Sequence, residues 1–155
     1  DFVPPVKPAG DGSPVVYVEA EEPSGGPAFE IVADEAASGG KCALVSGAKD
    51  SQPTEYRFTV PAEGSYIVLM RVRSEQPIGS HDTLVFSLDD QQANEATLRS
   101  AGSWTWSMVA HNRQQRLTCL QPFKLQAGDH VLKVTPRESL YLDLIAVTTN
   151  PGVFE

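Results

Sequence analysis

The sequence is poor in cysteine and lacks the cysteine and histidine spacings that bind zinc. Its 155 residues include only two cysteines, Cys42 and Cys119, and three histidines. No Cys-x-x-Cys pair occurs, which excludes the common zinc and redox motifs. The two cysteines permit one disulfide, which would close a long loop and contribute about 4 kcal/mol on the chain-entropy model. They equally permit two buried thiols, and the sequence leaves both alternatives open.

Basic residues are also scarce. The chain has 12 lysines and arginines against 20 aspartates and glutamates, a formal net charge of −8. Nucleic-acid binding needs a basic surface, so this balance argues against a nucleic-acid partner. It also disfavours a polyanionic glycan unless calcium or a local arginine cluster bridges the two. No apolar run approaches the roughly 18 residues of a membrane-spanning helix, so we expect no membrane segment.

The first 14 residues have no hydrophobic periodicity and are rich in proline and glycine. We expect residues 1–14 to be a linker or the mature start of an exported chain, and residues 151–155 to begin a second linker. Residues 15–150 are predicted to be one domain, which is long enough to bury a full core. The sequence therefore predicts one module of a larger secreted or cell-surface protein.

Helical periodicity is missing, and ten short segments have strand patterns instead. They are residues 15–21, 29–33, 41–46, 55–60, 65–73, 83–89, 104–109, 116–125, 130–135 and 140–148. Residues 93–100 are assigned a single helical turn. Turn residues at 61–64 and 126–129 indicate hairpins. Ten such segments predict an all-β sandwich or jelly roll of antiparallel strands rather than βαβ units.

Three acidic residues stand in strand segments near the two ends of this domain. Glu19 and Glu21 share one face of the first segment, roughly 7 Å apart at about 3.3 Å per residue. Asp143 lies within the apolar segment 141–145. If the first and last strands are neighbours, the three carboxylates converge, and an oxygen-only cluster of this kind suits calcium. The alternative is that the glutamates face water and Asp143 caps an edge.

The order of these segments resembles the carbohydrate-binding modules of families 6 and 35, which have a galactose-binding-like β-sandwich fold. The resemblance runs from Tyr17 to Asn150, which is nearly all of the chain after the predicted linker. The matching segments are VEAE at 18–21, ASGGK at 37–41, YRFTVPAEGSYIVLMRVR at 56–73, SHDTLVFSLDD at 80–90, GSWTW at 102–106, FKLQAGDHVLKV at 123–134 and RESLYLDLIAVTTNP at 137–151. Each segment alone is a weak match, and the order of all seven carries the resemblance.

The resemblance implies a structural calcium ion. In this family the acidic pair of the first strand, carbonyls of a Gly-Gly-Lys loop and the late-strand aspartate bind the metal. The implied ligands are Glu19, Glu21, Asp143 and main-chain oxygens near Lys41. Such a site lies away from the sugar and joins the first and last strands. Asp34 is a further candidate for the same or a neighbouring site.

The resemblance also implies a glycan site in loops at one end of the sandwich. Sugars stack their C–H faces on an aromatic ring while polar groups bind their hydroxyls. Trp104, which follows Gly102 and Ser103, is the predicted stacking platform. The family commonly pairs such a tryptophan with one in the core, but Trp106 is two residues further and is predicted to point to the same face. The alternative is that both tryptophans lie in the core.

Other candidate sugar contacts come from the late strand and from loops. Where many family 6 modules carry asparagine, two residues before the late-strand aspartate, this chain has Tyr141. A tyrosine can stack or hydrogen-bond, but it cannot replace the amide. Asn112 and Arg113 in a long loop, and His81 in another, carry groups suited to glycan hydroxyls. A solvated loop is the alternative for each of these three residues.

Catalytic motifs are absent from the sequence. Glycoside hydrolysis needs two carboxylates across a cleft, and no spacing marks such a pair. Serine-nucleophile, phosphate-loop and metalloprotease motifs do not occur. We predict a monomeric, extracytoplasmic, non-catalytic module that targets an attached hydrolase or lyase to a polysaccharide or oligosaccharide. The alternatives are a structural or protein-binding β-sandwich that has lost the sugar site, and a small hydrolase or lyase with an unrecognised site.

Overall fold

The computed structural model describes residues 15–46, 52–74, 83–89, 94–98, 102–109 and 122–150. These residues form a 3-10 turn, Ser38–Gly40, and eleven strands. The strands are β1 (Val15–Glu19), β2 (Glu30–Ala33), β3 (Lys41–Val45), β4 (Thr54–Val60), β5 (Gly64–Arg73), β6 (Thr83–Leu88), β7 (Asn94–Thr97), β8 (Thr105–Met108), β9 (Phe123–Leu125), β10 (Gly128–Pro136) and β11 (Leu140–Thr148). Within these ranges no helix is long and apolar enough to cross a membrane. The predicted linkers, 1–14 and 151–155, lie outside them.

Two antiparallel sheets form a sandwich, which confirms the predicted all-β class. The seven-stranded sheet has the order β2-β3-β11-β5-β8, with β1 paired to β11 and β9 paired to β5. The four-stranded sheet has the order β4-β10-β6-β7. β1 and β11 pair from Val15↔Thr148 to Glu19↔Leu144. The first and last strands of the domain are therefore neighbours, as the predicted convergence of carboxylates requires.

Alternating side chains from both sheets fill the space between them. On β4, Tyr56, Phe58 and Val60 are buried, while Arg57 and Thr59 are exposed. This period of two sends one face of each strand into the core. Burying one large apolar side chain contributes about 1.5–3 kcal/mol, so the core supplies most of the favourable free energy of folding. Other members of the core are Val68, Met70, Leu84, Phe86, Leu132 and Ile145.

The helical turn assigned to residues 93–100 is wrong. Residues 94–97 form β7, which pairs with β6 from Thr83↔Thr97 to Phe86↔Asn94. This short polar segment has no apolar alternation of its own. Its strand conformation comes from the hydrogen-bonded ladder with β6, and strand propensity depends strongly on such neighbours. The first strand is also shorter than the predicted segment 15–21, since β1 ends at Glu19.

The two predicted hairpins are instead connections between the sheets. Residues 61–63 link β4 in the four-stranded sheet to β5 in the seven-stranded sheet, and residues 126–127 link β9 to β10 in the reverse direction. The two connections lie side by side, with Gln126 Nε2 3.3 Å from Glu63 Oε1. Turn residues specify that the chain reverses. They do not specify whether the returning strand joins the same sheet or the facing one.

Cys42 is a buried free thiol on β3. Of the two alternatives that the sequence left open, the buried thiol is the one found for this residue. Burial raises the pKa of the Cys42 thiol to about 11, so it carries little thiolate at neutral pH and is chemically inert. Cys119 lies outside the described residues.

His130 on β10 forms hydrogen bonds both with the residue that follows β6 and with the connection at residues 126–127. Its Nδ1 lies 2.7 Å from Asp89 Oδ2, and its Nε2 lies 2.7 Å from the carbonyl oxygen of Gln126. Acceptors at both ring nitrogens favour the imidazolium form, which donates from both. Burial lowers the pKa of His130, but the hydrogen bonds to Gln126 and Asp89 and the charges of Asp89 and Asp129 raise it by more, so the net change is upward.

We expect the protonated His130 to stabilise the fold at low pH. Because its pKa is raised on folding, this contribution is present below the unfolded value of about 6.5 and is lost as the pH rises through the folded value. Urea unfolding of the wild type and of His130→Gln between about pH 6 and pH 8 measures it. The wild type should lose more stability across this range than the variant. Equal losses would contradict the prediction.

Candidate functional site

A β-bulge in β11 places Asp143 where this strand changes neighbours. Leu142 and Leu144 pair with consecutive residues of β5, which leaves Asp143 as the extra residue. On its other side, β11 pairs with β3 as far as Leu142 and with β1 from Leu144 onward. A bulge leaves its extra residue out of the regular ladder. The carbonyl oxygen of Asp143 instead accepts the Ala20 N–H at 3.0 Å.

The Asp143 carboxylate is fully buried and hydrogen-bonded by two parts of the chain. The Ser38 N–H donates to both of its oxygens, at 2.9 and 3.1 Å. Arg71 Nη1 donates to Oδ2 and also to the carbonyl oxygen of Ala36, the latter at 3.0 Å. Burial raises the pKa of Asp143, and the Ser38 N–H and the Arg71 guanidinium only partly oppose this change. The ion pair offsets part of the cost of burying the charge.

The structure brings Glu19 and Glu21 to the same place. One oxygen from each glutamate and from Asp143 lies within 4.8 Å of the other two. Ser38 Oγ donates to Glu19 Oε1 at 2.7 Å. Glu21 Oε2 is buried and has no hydrogen-bond partner among the described residues. Burial first, and then the charges of Glu19 and Asp143, raise the pKa of Glu21 to about 7.

The 3-10 turn forms one wall of this carboxylate site, which we define as Glu19, Glu21 and Asp143. Gly39 and Gly40 have φ angles of 67° and 77°, a region that strongly favours glycine. A Cβ placed on Gly39 would lie 4.0 Å from Glu21 Oε1. Lys41 follows directly as the first residue of β3, with its side chain exposed. The main chain therefore passes close to the carboxylates without a side chain between them.

Both predicted tryptophans contact groups on the face of the seven-stranded sheet opposite the core. Arg71 and Arg73 flank the core residue Val72 on β5, so they project from that opposite face. Trp106 on β8 is paired with Arg71, and its ring centroid lies 6.3 Å from that of Tyr17. Among the described residues, the core between the sheets contains neither Trp104 nor Trp106. The alternative that both lie in the core is wrong.

Trp104 is held by two guanidinium groups and a carboxylate. The Arg71 and Arg73 Cζ atoms lie 5.1 and 5.5 Å from its ring centroid, within the range of cation–π attraction. Its Nε1–H donates to Asp34 Oδ2 at 3.2 Å. Arg73 Cζ also lies 4.3 Å from the Tyr141 ring centroid. Trp104, Arg73 and Tyr141 therefore form a continuous stack, and both aromatic rings are half-buried.

Asp34 belongs to this stack rather than to the carboxylate site. Its Oδ2 accepts the Trp104 indole N–H and lies 3.4 Å from Arg73 Nη2. Its Oδ1 accepts the Ala36 N–H at 2.9 Å. From the sequence, Asp34 was predicted only as a metal ligand, and no role was predicted for the side chains of Ser38 and Arg71. The one usable signal was the spacing of Arg71 and Arg73, which places two charges on one face of an apolar strand.

The remaining predicted sugar contacts, His81, Asn112 and Arg113, lie outside the described residues and stay predictions. Of the described candidates, Trp104, Trp106 and Tyr141 are gathered on one face of the seven-stranded sheet by the pairing of β11, β5 and β8.

Comparison with known proteins shows a likeness in fold. No protein-family model matches the chain, and no curated protein matches its sequence. Among solved structures, a family 35 carbohydrate-binding module from Clostridium thermocellum superposes with a TM-score of 0.67 and 16% identity. The match covers 86% of this chain and 98% of that module.

Two carbohydrate-active enzymes contain the same fold. An exo-β-1,3-galactanase from Phanerochaete chrysosporium, solved with β-1,3-galactotriose, matches at TM-score 0.64 and 16% identity over 86% of this chain and 29% of the enzyme. A Podospora anserina GH26-CBM35 β-(1,4)-mannanase matches at TM-score 0.61 and 14% identity over 88% of this chain and 28% of the enzyme. The chain spans less than a third of each enzyme. It has the fold of a family 35 carbohydrate-binding module.

We expect Arg71 to be important for stability because it is the ion-pair partner of a fully buried carboxylate. Replacing Arg71 with methionine leaves Asp143 buried beside two glutamates, and breaking a buried pair in this way costs about 3–5 kcal/mol. Arg57→Met is the matched control, because Arg57 is largely exposed and pairs with Glu55 at 3.7 Å. This exposed pair should contribute less than about 1 kcal/mol. Urea unfolding in the presence of a chelator measures both, and similar losses would contradict the prediction.

Proposed function

We propose that this chain is a non-catalytic carbohydrate-binding module that binds a polysaccharide or oligosaccharide at the stack around Trp104. The observation that carries the proposal is the match over almost the whole length of a solved family 35 carbohydrate-binding module. The matched residues of this chain correspond to nearly all of that module. Agreement in the order of short sequence segments with families 6 and 35 supports the same assignment.

The chemistry of the stack suits a sugar ring. Trp104 and Tyr141 are aromatic rings with part of their surface accessible, and apolar sugar faces pack on such rings. Arg71, Arg73 and Asp34 surround Trp104 and carry groups that hydrogen-bond hydroxyls. Because these three residues also fix the indole, a sugar would meet a ring that is already oriented. Preorganisation of this kind reduces the entropy lost on binding.

The proposal includes a structural calcium ion at the carboxylate site. Glu19, Glu21 and Asp143 supply only oxygen atoms, which calcium prefers, and main-chain oxygens near Lys41 complete the expected ligand set. The buried Glu21 Oε2 has no hydrogen-bond partner among the described residues, so a cation would satisfy it. A bound cation would also relieve the repulsion that raises the pKa of Glu21. The residues present therefore fit the metal.

The proposed role of the module is to hold a covalently attached glycoside hydrolase or polysaccharide lyase on its polysaccharide. In the galactanase and the mannanase, the matched fold is a minor part of an enzyme chain. Tethering raises the effective concentration of a catalytic domain at the polysaccharide without new chemistry. We propose a monomer that acts outside the cytoplasm, with no nucleic-acid or membrane partner.

A structural or protein-binding module is the second candidate. Tyr141 stands where many family 6 modules have asparagine, so the usual amide contact to sugar is lost. The indole N–H of Trp104 and both arginines are engaged within the chain, which also reduces the number of polar groups free to bind hydroxyls. These two observations favour a stable module in which this face of the sheet no longer binds sugar.

We expect Trp104→Ala to abolish glycan binding while the domain remains folded. Loss of the ring removes the stacking surface, and the wild-type affinity should be micromolar to millimolar, as expected for one or two rings and few hydrogen bonds. A glycan array with and without calcium measures binding. Ile31→Ala is the control, since Ile31 is an exposed apolar residue on β2. If the folded wild type binds none of the plant, algal and host glycans on the array, the result would support the structural or protein-binding module.

We expect calcium to raise the melting temperature. A ligand that binds only the folded state stabilises it by about 2.7 kcal/mol at one hundred times its Kd. Glu21→Gln should reduce this gain strongly, because it removes the carboxylate with the buried, unpaired oxygen. Glu30→Gln, at an exposed position on β2, is the matched control. Differential scanning calorimetry with calcium or a chelator measures the effect, and an unchanged melting temperature would rule out the metal assignment.

A further inference from the structure

Residues 34–40 contact the carboxylate site at one end and the aromatic stack at the other. The Ser38 N–H donates to both oxygens of Asp143, at 2.9 and 3.1 Å. Four residues earlier, Asp34 Oδ2 accepts the Trp104 indole N–H at 3.2 Å. The same short segment therefore holds the most buried carboxylate of one site and the principal aromatic ring of the other.

Internal hydrogen bonds make this segment a closed unit. The Asp34 N–H donates to the Gly40 carbonyl at 3.0 Å, and the Gly40 N–H donates to the Ala37 carbonyl at 3.0 Å. The Ala37 N–H donates to the Asp34 carbonyl at 3.0 Å, and the Ala36 N–H donates to Asp34 Oδ1 at 2.9 Å. Ala37 is also buried. A displacement of Ser38 would therefore be transmitted to Asp34 rather than absorbed between them.

Arg71 provides a second connection between the two sites. Its Nη1 donates both to Asp143 Oδ2 and to the Ala36 carbonyl. Its Cζ lies 5.1 Å from the Trp104 ring centroid. A cation bound by Asp143 would compete for the oxygen that Arg71 now contacts, and it would repel the guanidinium. Because Arg71 packs on the indole, its position affects that of Trp104.

We propose that Asp34 is a positioning residue for Trp104, and that residues 34–40 and Arg71 couple its position to the carboxylate site. A divalent cation at that site then changes the affinity of the stack for a glycan without contacting the sugar. This inference rests on the proposed function. Coupling between two sites is reciprocal and typically changes affinity about 5–150-fold, so a bound glycan would change the affinity for the cation by the same factor.

The coupling is measurable without a known glycan because Trp104 reports its own environment. The sequence has two tryptophans, so Trp106→Phe leaves Trp104 as the only one. Calcium chloride added to chelator-treated protein should change the Trp104 emission and its quenching by acrylamide. Calorimetry should give the same midpoint for calcium binding. If Trp106→Phe does not fold, the indole N–H resonances of the wild type replace the emission signal in the same titration.

Asp34→Ala separates positioning from metal binding. It removes the acceptor for the Trp104 indole N–H but no member of the carboxylate site, so we expect calcium affinity within about threefold of the parent, less than the range typical of coupling, and a weaker Trp104 response. Asp34→Asn keeps an oxygen acceptor and should restore part of the response. Asp129→Ala, which removes a carboxylate bonded to Thr59 on the other sheet, should leave the response intact.

Arg71→Lys tests the second connection, with Arg57→Lys as its matched control. Lysine keeps a positive charge near Asp143 but lacks the planar guanidinium that packs on the indole, so the Trp104 response should weaken while calcium still binds. An unchanged response in both Asp34→Ala and Arg71→Lys would overturn the coupling.

The outcomes separate this inference from the function on which it rests. Calcium binding that leaves Trp104 unchanged would overturn the coupling and leave the proposed metal site intact. An absence of calcium binding would remove the metal site, and the coupling with it, while glycan binding could still be found on the array. A response that Asp34→Ala weakens and Asp129→Ala preserves would support the positioning role.

Discussion

The buried carboxylate of Asp143 is the constraint on which the rest of the site depends. It lies at the bulge where β11 exchanges β3 for β1, at the junction of three strands. A charge in this position cannot remain without partners, because desolvation costs several kcal/mol. Ser38 and Arg71 both donate hydrogen bonds to it. The requirement to satisfy one carboxylate thereby fixes both the glycine turn beside β3 and the arginine that packs on Trp104.

The bulge also keeps the apolar residues on both sides of Asp143 in the core. Leu142 before Asp143 and Ile145 after it both belong to the core, although their separation of three residues would place them on opposite faces of a regular strand. The inserted residue shifts the alternation by one. Leu144 is then free to face the other side, where it is paired with Glu19 and Arg71. One irregularity thus serves packing and the site together.

The sequence was sufficient for features with a strong local period or a strong chemical signature. Alternation predicted the strands and the all-β class, and the positions of Glu19, Glu21 and Asp143 predicted a carboxylate cluster. The sequence did not predict features that depend on which strands pair, namely β7 and the two connections between the sheets. Asp34 could not be assigned to Trp104, because their contact joins residues 70 positions apart. A short stretch of sequence does not show which distant residues become neighbours when the strands pair.

The pairing of β1 with β11 has a mechanical consequence. Val15 lies opposite Thr148, and Glu19 lies opposite Leu144, so tension applied at residues 15 and 148 loads this ladder at a single end. The hydrogen bonds then open one pair after another, and the opening reaches the carboxylate site last. The contacts of a cation bound at that site would then be the last to break. Because the pairs open one at a time, the force needed to open this ladder would depend little on its length.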